Sequence, residues 1–164
     1  MAIRICNNVI LPNHNGTTGC GNVAVGQDVG LASATGKNNI AIGSGAGFST
    51  TGGAYNFFAG QCAGYCNTTG SSNIFIGSNA GFRNTTGIYN NFFGAYAGYC
   101  NTTGRYNNFI GIQAGYNNTT GTNNNFFGNA AGYCNTTGSY NNFIGNLAGY
   151  CNTCLLYTSD AADE

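Results

Sequence analysis

The stretch "NTTGRYNNFIGIQAGYN", residues 101–117, is followed directly by "NTTGTNNNFFGNAAGYC", residues 118–134, which has the same pattern. Both stretches have the same length of seventeen, and the same spacing continues in both directions along the 164-residue chain. A constant short period predicts a solenoid, in which each repeat forms one coil stacked on the previous coil. Seventeen residues are too few for a repeat of two helices, which needs about 33. The period therefore predicts an all-β protein.

Glycine recurs in three columns at this interval, and these columns contain 24 of the 28 glycines. Two of the columns run from Gly26 to Gly145 and from Gly30 to Gly149. We interpret the third column, which closes each "TTG" or its variant, as structural turn residues, because glycine adopts positive φ without steric cost. Its members are Gly19, Gly36, Gly53, Gly70, Gly87, Gly104, Gly121 and Gly138. The columns indicate eight copies without an insertion.

Each copy has two segments of strand length and two corners. "NNFIG" is apolar and β-prone, "AGY" follows it closely, and "NTTG" has the Asn and Gly positions of a type I turn. An Asn column from Asn22 to Asn141 predicts a ladder of side-chain amides along the stack. We therefore predict a parallel β-solenoid of eight coils over residues 15–153, after an irregular N-terminal segment at residues 1–14. At about 4.8 Å per coil the rod is roughly 38 Å long.

Two neighbouring apolar columns point to opposite faces of the predicted strands, because adjacent strand residues alternate in direction. A narrow coil has room for only one of them, and we expect this to be the column of Phe109, although the reverse assignment stays open. The other column would form an apolar stripe outside the coil, which is typical of an interface. Its predicted interface residues are Val25, Ile42, Ile76, Phe93, Ile110, Phe127 and Ile144. Identical copies of the chain are the simplest partner.

The copies "NVAVGQDVGLASATG" (22–36) and "NNIAIGSGAGFSTTG" (38–52) resemble the head repeats of trimeric autotransporter adhesins, which have an "xAIGxxA" core. Similar repeats occur in phage and viral tail-fibre-like proteins. The resemblance implies a left-handed β-roll, a homotrimer, and attachment to a host-surface or matrix receptor from a cell-surface or virion fibre. The chain departs from the adhesin pattern in its longer period and in the Phe that replaces Ala from the third copy onward.

The spacing of the cysteines does not fit a metal site or a disulfide framework, so we interpret them as small apolar residues that fill space. Cys66, Cys100 and Cys134 fall in one column at intervals of two coils. Two coils span about 9.6 Å, beyond the roughly 7 Å that a disulfide bridges, so we expect these three to remain thiols. Bridges of Cys134 with Cys151 and of Cys62 with Cys66 stay open.

The composition favours a structural protein over an enzyme. His14 is the only histidine and Asp28 the only acid within the repeats, so no pair of groups for acid–base catalysis can be assembled. We predict no catalytic residue, no metal and no cofactor. Arg83 and Arg105 are too sparse for nucleic-acid binding. Only 5% of the residues are charged, yet no apolar run is long enough to span a membrane, and "MAIRICNNVILPNH" is a poor secretion signal.

Two other functions fit parts of the repeat. An ice-binding solenoid is the alternative function, because threonine also recurs in every coil. Ice sites display T-x-T pairs on a flat strand, whereas Thr119 and Thr120 are adjacent and precede Gly121. The tripeptide "NTT" is also an N-glycosylation acceptor, at Asn67, Asn84, Asn101, Asn118 and Asn135.

The C-terminal segment, "CLLYTSDAADE" at 154–164, abandons the period in the middle of a copy. This segment resembles the translation of a transposon-end adapter used in preparing sequencing libraries. We therefore expect a non-native tail and a metagenomic fragment whose natural protein continues with further sequence. Three of the four acids lie in this tail, so the remaining chain has four basic residues against Asp28, a net charge of +3.

Deleting residues 154–164 should leave the melting temperature of the chain unchanged, because this segment has neither the glycine columns nor the Asn column. Differential scanning calorimetry of the full and shortened chains compares the two directly. A drop of several degrees in the shortened chain would show that the segment packs on the coils.

Overall fold

The computed structural model describes residues 3–5, 8–10, 21–33 and 35–151. Eight short parallel strands, one per coil, form one continuous sheet in chain order. The chain is therefore an all-β solenoid, as predicted. The only helical element among the described residues is a single 3₁₀ turn, Gly30–Ser33. The parallel strands are β3 Val23–Gly26, β4 Ile40–Ile42, β5 Phe57–Ala59, β6 Ile74–Ile76, β7 Asn91–Phe93, β8 Asn108–Ile110, β9 Asn125–Phe127 and β10 Asn142–Ile144.

Each parallel strand pairs with the equivalent strand of the next coil. Phe92 lies opposite Phe109, and Phe93 lies opposite Ile110. The same offset joins every parallel pair from β3 to β10. Residues that share a position in the repeat are therefore stacked in columns along the sheet, which confirms the period of one coil.

Phenylalanine and alanine fill the inside of the coils. The middle residue of each strand is buried, and from β5 onward it is Phe. The rings of Phe92 and Phe109 stack with their centroids 4.8 Å apart and nearly parallel. A column of buried alanines, such as Ala97 and Ala114, completes the core cluster. The prediction that the Phe109 column fills the coil is confirmed.

Two asparagine ladders satisfy the polar groups inside the coils. In the predicted ladder, the backbone N–H of Asn107 donates to Oδ1 of Asn90 at 3.0 Å, and Nδ2 of Asn107 donates to the Gly121 carbonyl at 2.8 Å. A second ladder runs through the asparagine of each "NTTG", where Nδ2 of Asn118 donates to Oδ1 of Asn101 at 2.9 Å. The sequence did not predict this second ladder, since its asparagines were attributed to a turn.

The prediction of two strands per coil is wrong. The segment that contains "AGY" forms successive tight turns instead, in which every second N–H donates to the carbonyl three residues earlier. These bonds run from Ala97 to Gly94 (3.2 Å), from Tyr99 to Tyr96 (3.3 Å) and from Asn101 to Gly98 (3.0 Å). The third residues of the first two turns, Tyr96 and Gly98, both have φ near 59°. Positive φ at this position is the signature of a type II turn.

The "NTTG" segment also differs from its prediction. The N–H groups of Thr68, Thr69 and Gly70 all donate to one carbonyl, that of Thr85 in the next coil, at 3.0–3.2 Å. The hydrogen bond that would close a type I turn on Asn67 is therefore not formed.

The glycine of "NTTG" is required for a different reason from the one predicted. None of Gly36, Gly53, Gly70, Gly87, Gly104, Gly121 and Gly138 has positive φ. A Cβ on Gly70 would instead clash with Oδ1 of Asn67 in its own coil and would lie 2.5 Å from the carbonyl oxygen of Gly87 in the next coil. Close packing against the Asn side chain of the same "NTTG" and against the next coil, rather than the φ angle, excludes a side chain at Gly70. Gly19 lies outside the described residues.

The N-terminal segment at residues 1–14, which we expected to be irregular, contains two short strands. Strand β1, Ile3–Ile5, pairs antiparallel with β2, Asn8–Ile10, and β2 pairs antiparallel with β3. The N-terminal edge of the parallel sheet is thus covered by a hairpin. The predicted non-native tail, 154–164, lies outside the described residues.

Replacing Gly94 by Ala should lower the free energy of unfolding by roughly 1–3 kcal/mol, as overpacking does. Gly94 has a φ of 136°, and its Cβ would lie 2.5 Å from the Gly111 carbonyl oxygen. Gly52 is the matched control, because it lacks positive φ and its Cβ would be 3.5 Å from the nearest atom. Gly52→Ala should be neutral or slightly stabilising. Equal urea midpoints for the two variants would contradict this explanation.

Candidate interaction surface

The outer strand face consists of the two residues that flank the buried residue of each parallel strand. Its second column contains the predicted interface residues. Ile42, Ile110 and Ile144 are 43%, 45% and 75% exposed, whereas the neighbouring Phe109 is fully buried. The other members, Val25, Ile76, Phe93 and Phe127, are partly exposed. The structure therefore brings all seven residues into one row on the outside of the coils.

The first column of the outer strand face changes from apolar to polar residues halfway along the rod. In β3 to β6 it is apolar, with Val23, Ile40, Phe57 and Ile74. In β7 to β10 it consists of asparagines whose amides form a third ladder, with Nδ2 to Oδ1 distances of 2.8 Å. The face is thus wholly apolar over four strands and half apolar over the next four.

A row of exposed tyrosines stands two residues before four of the strands. Tyr55, Tyr89, Tyr106 and Tyr140 are 50–64% exposed, and their φ angles lie between 56° and 62°. Positive φ is an unusual conformation for a bulky residue. The rings of Tyr89 and Tyr106 stack at 5.2 Å. Sequence reasoning missed this row, although the spacing of the tyrosines by whole repeats was the available signal.

A second aromatic ladder follows the tight turns. Seven rings stack with centroids 4.8–5.2 Å apart, in the order Phe48, Tyr65, Phe82, Tyr99, Tyr116, Tyr133 and Tyr150. The guanidinium carbon of Arg83 lies 5.7 Å from the centroid of Tyr99. This ladder supports the coils outside the core, since stacked rings contribute beyond their buried area.

The cysteine column lies next to this ladder in sequence. Arg83 occupies the coil between Cys66 and Cys100, so these two thiols are separated by two coils as predicted. Burial raises the pKa of both thiols, and the positive charge of Arg83 opposes that rise in both. Cys134 and Cys151 occupy adjacent coils, and their Sγ atoms are 3.7 Å apart.

Glycosylation, metal binding and membrane spanning find little support in the described part of the chain. The five "NTT" asparagines are at most 1% exposed and their amides are hydrogen-bonded, so the folded coil offers them to no glycosylating enzyme. In the described part of the chain, no three His, Cys, Asp or Glu residues cluster as metal ligands would. None of the helical structure described there has the length and apolarity needed to cross a bilayer. His14 lies outside the described residues.

No protein-family model matches the chain, and no curated protein or solved structure matches it significantly. The resemblance to adhesin heads and tail fibres thus rests on the repeat motifs alone.

The alkylation of Cys66 and Cys100 by iodoacetamide should depend on pH with a midpoint above that of free cysteine. A raised pKa leaves less of the reactive thiolate at neutral pH. The difference in alkylation rate from free cysteine should vanish once the pH exceeds the pKa of the protein thiol and that of free cysteine. Arg83→Gln removes the opposing charge, so it should move both midpoints further upward. Cys134 is the internal control for the variant, because the pKa of its thiol is raised by burial and by Cys151 and not influenced by Arg83. Unchanged midpoints at Cys66 and Cys100 in the variant would contradict the role of Arg83.

Proposed function

We propose that the chain is a structural and adhesive repeat segment of a fibrous surface protein, whose copies associate through the outer strand face. The exposed apolar row through Ile42, Ile110 and Ile144 carries this proposal. A contiguous apolar stripe of this kind marks an interaction site in a soluble protein. It also continues from the first parallel strand to the last, as an interface along a fibre requires.

The energetics favour association. Burying one large apolar side chain stabilises by roughly 1.5–3 kcal/mol. A row of seven such residues amounts to roughly 10 kcal/mol before the costs of association. A second copy presents the same row at the same spacing, so each residue meets an equivalent apolar partner. The resemblance to adhesin heads favours three copies in a cell-surface or virion fibre.

Adhesion to a receptor would use the surfaces that association leaves free. The exposed tyrosines are suited to this role, because tyrosine supplies a large rigid contact with a polar tip. Tyr89 and Tyr106 form such a pair, two residues before β7 and β8. A host-surface or matrix component is the partner that this function implies.

An ice-binding solenoid is the second candidate, and a row of exposed threonines favours it. The equivalent threonines of five successive coils are exposed, namely Thr69, Thr86, Thr103, Thr120 and Thr137. The neighbouring threonines use their hydroxyls internally, as Thr102 does by donating to the Thr119 carbonyl at 3.1 Å. Thermal hysteresis of the purified chain distinguishes this function from the fibre segment, which should produce none.

Light scattering should show the unmodified chain as an oligomer, and Ile110→Asp should shift it to monomer with its circular dichroism retained. The charge on the outer strand face would have to be buried without a partner. Phe109→Asp should unfold the coil, because Phe109 is fully buried.

The control for this comparison is Thr103→Asp, which adds the same charge to an exposed bend and should leave the oligomer intact. A stable, soluble monomer of the unmodified chain at micromolar concentration would overturn the fibre proposal and leave a solitary solenoid.

A further inference from the structure

Cys134 and Cys151 are the two thiols that the structure places in contact. Their Sγ atoms are 3.7 Å apart on the outside of the coils. Cys134 is partly exposed and Cys151 is exposed, so small reagents reach the pair from solvent. Among the described residues, no other pair of cysteine sulfurs comes within hydrogen-bonding distance.

The backbone holds this pair at a spacing that suits a covalent bond. The N–H of Cys134 donates to the carbonyl of Tyr150 at 2.9 Å, which fixes the two coils at this level. The rings of Tyr133 and Tyr150, each one residue before a cysteine, stack at 5.0 Å. Equivalent residues in adjacent coils are about 4.8 Å apart, inside the Cα range of roughly 4.4–6.8 Å found for disulfides.

The other cysteines of the column provide a contrast. Cys66 and Cys100 have Arg83 between them, so about 9.6 Å separates their positions in the stack. A disulfide would require the coils to move, because it spans at most roughly 7 Å between Cα atoms. The column therefore contains a pair that can form a disulfide, Cys134 with Cys151, and a pair that cannot, Cys66 with Cys100. The expectation from sequence that Cys134 remains a thiol then applies only in the absence of an oxidant.

We propose that Cys134 and Cys151 are a disulfide-forming site that links the last two described coils when the chain meets a low-molecular-weight disulfide such as glutathione disulfide. The thiolate of Cys151 attacks one sulfur of glutathione disulfide and releases one glutathione. The thiolate of Cys134 then attacks the Cys151 sulfur of the mixed disulfide and releases the second glutathione. The protein loses two electrons, the glutathione disulfide gains them, and the two thiol protons end on the released glutathiones.

The link would act on the stability of the solenoid at this end. It closes a chain segment of about one coil, and a disulfide restricts the unfolded chain by closing such a loop. The coil that contains Cys151 then no longer separates from its neighbour independently. This inference does not depend on the proposed fibre, since both thiols belong to one chain.

The test uses the full chain with Cys154→Ser, so that the chymotryptic peptide containing Cys151 has one thiol. After incubation with glutathione disulfide and alkylation, mass spectrometry should find Cys134 linked to Cys151, and Cys66 unlinked to Cys100. The melting temperature should rise by roughly 5–10 °C and return on reduction. Cys151→Ser should abolish the rise, whereas the matched control Cys100→Ser should keep it.

Three results would overturn the proposal. Mixed disulfides with glutathione that never resolve into the linked peptide would show that the pair cannot close. Links between separate chains would show that the thiols meet other copies first. A linked peptide with no change in melting temperature would show that the bond does not join the coils in a stabilising way.

Discussion

Stacking in register is the constraint on which the rest of the molecule depends. The inside of each coil has room for little more than one Phe, one Ala and two Asn side chains. Each of the two polar groups finds its partner in a neighbouring coil, as Asn107 does with Asn90. A shift of one residue would place Phe109 outside and Ile110 inside, and would leave buried amides unpaired. The absence of insertions across eight repeats follows from this requirement.

A coil this thin cannot be stable alone, so stability comes from its neighbours. Each buried Phe ring stacks on the equivalent ring of the next coil with a centroid distance of about 5 Å, and the rings of the second aromatic ladder do the same. The hairpin of β1 and β2 stabilises the first coil in the same way. Its strand β2 pairs with the first parallel strand, which would otherwise present an open edge. The glycine column that contains Gly94 has the same effect, since it allows adjacent backbones to approach without a Cβ between them.

The sequence predicted the features that follow from periodicity, namely the solenoid, the buried Phe109 column and the first Asn ladder. It failed where the decisive contact lies between coils. Gly70 was assigned a positive φ because it ends a turn motif, whereas the Asn67 side chain and the Gly87 carbonyl of the next coil leave no room for a Cβ there. Positive φ occurs instead at Tyr96 and Tyr106, where no glycine indicates it. The second Asn ladder was hidden because its members coincide with a familiar turn sequence.

The repeats vary where they face outward. Inward columns keep one residue type over most of the chain, as the Phe and Asn columns do. The outward columns vary more, with mostly Ile or Phe in one, Tyr, Ser or Asn in another, and mostly Cys, Arg or Asn in a third. The buried strand column changes only once, from Ala41 to Phe58, whereas the outward columns change from coil to coil. The change from Ile74 to Asn91 on the outer strand face then divides the rod into two surfaces of different chemistry, although the buried Phe column continues unchanged from Phe75 to Phe92 beneath it.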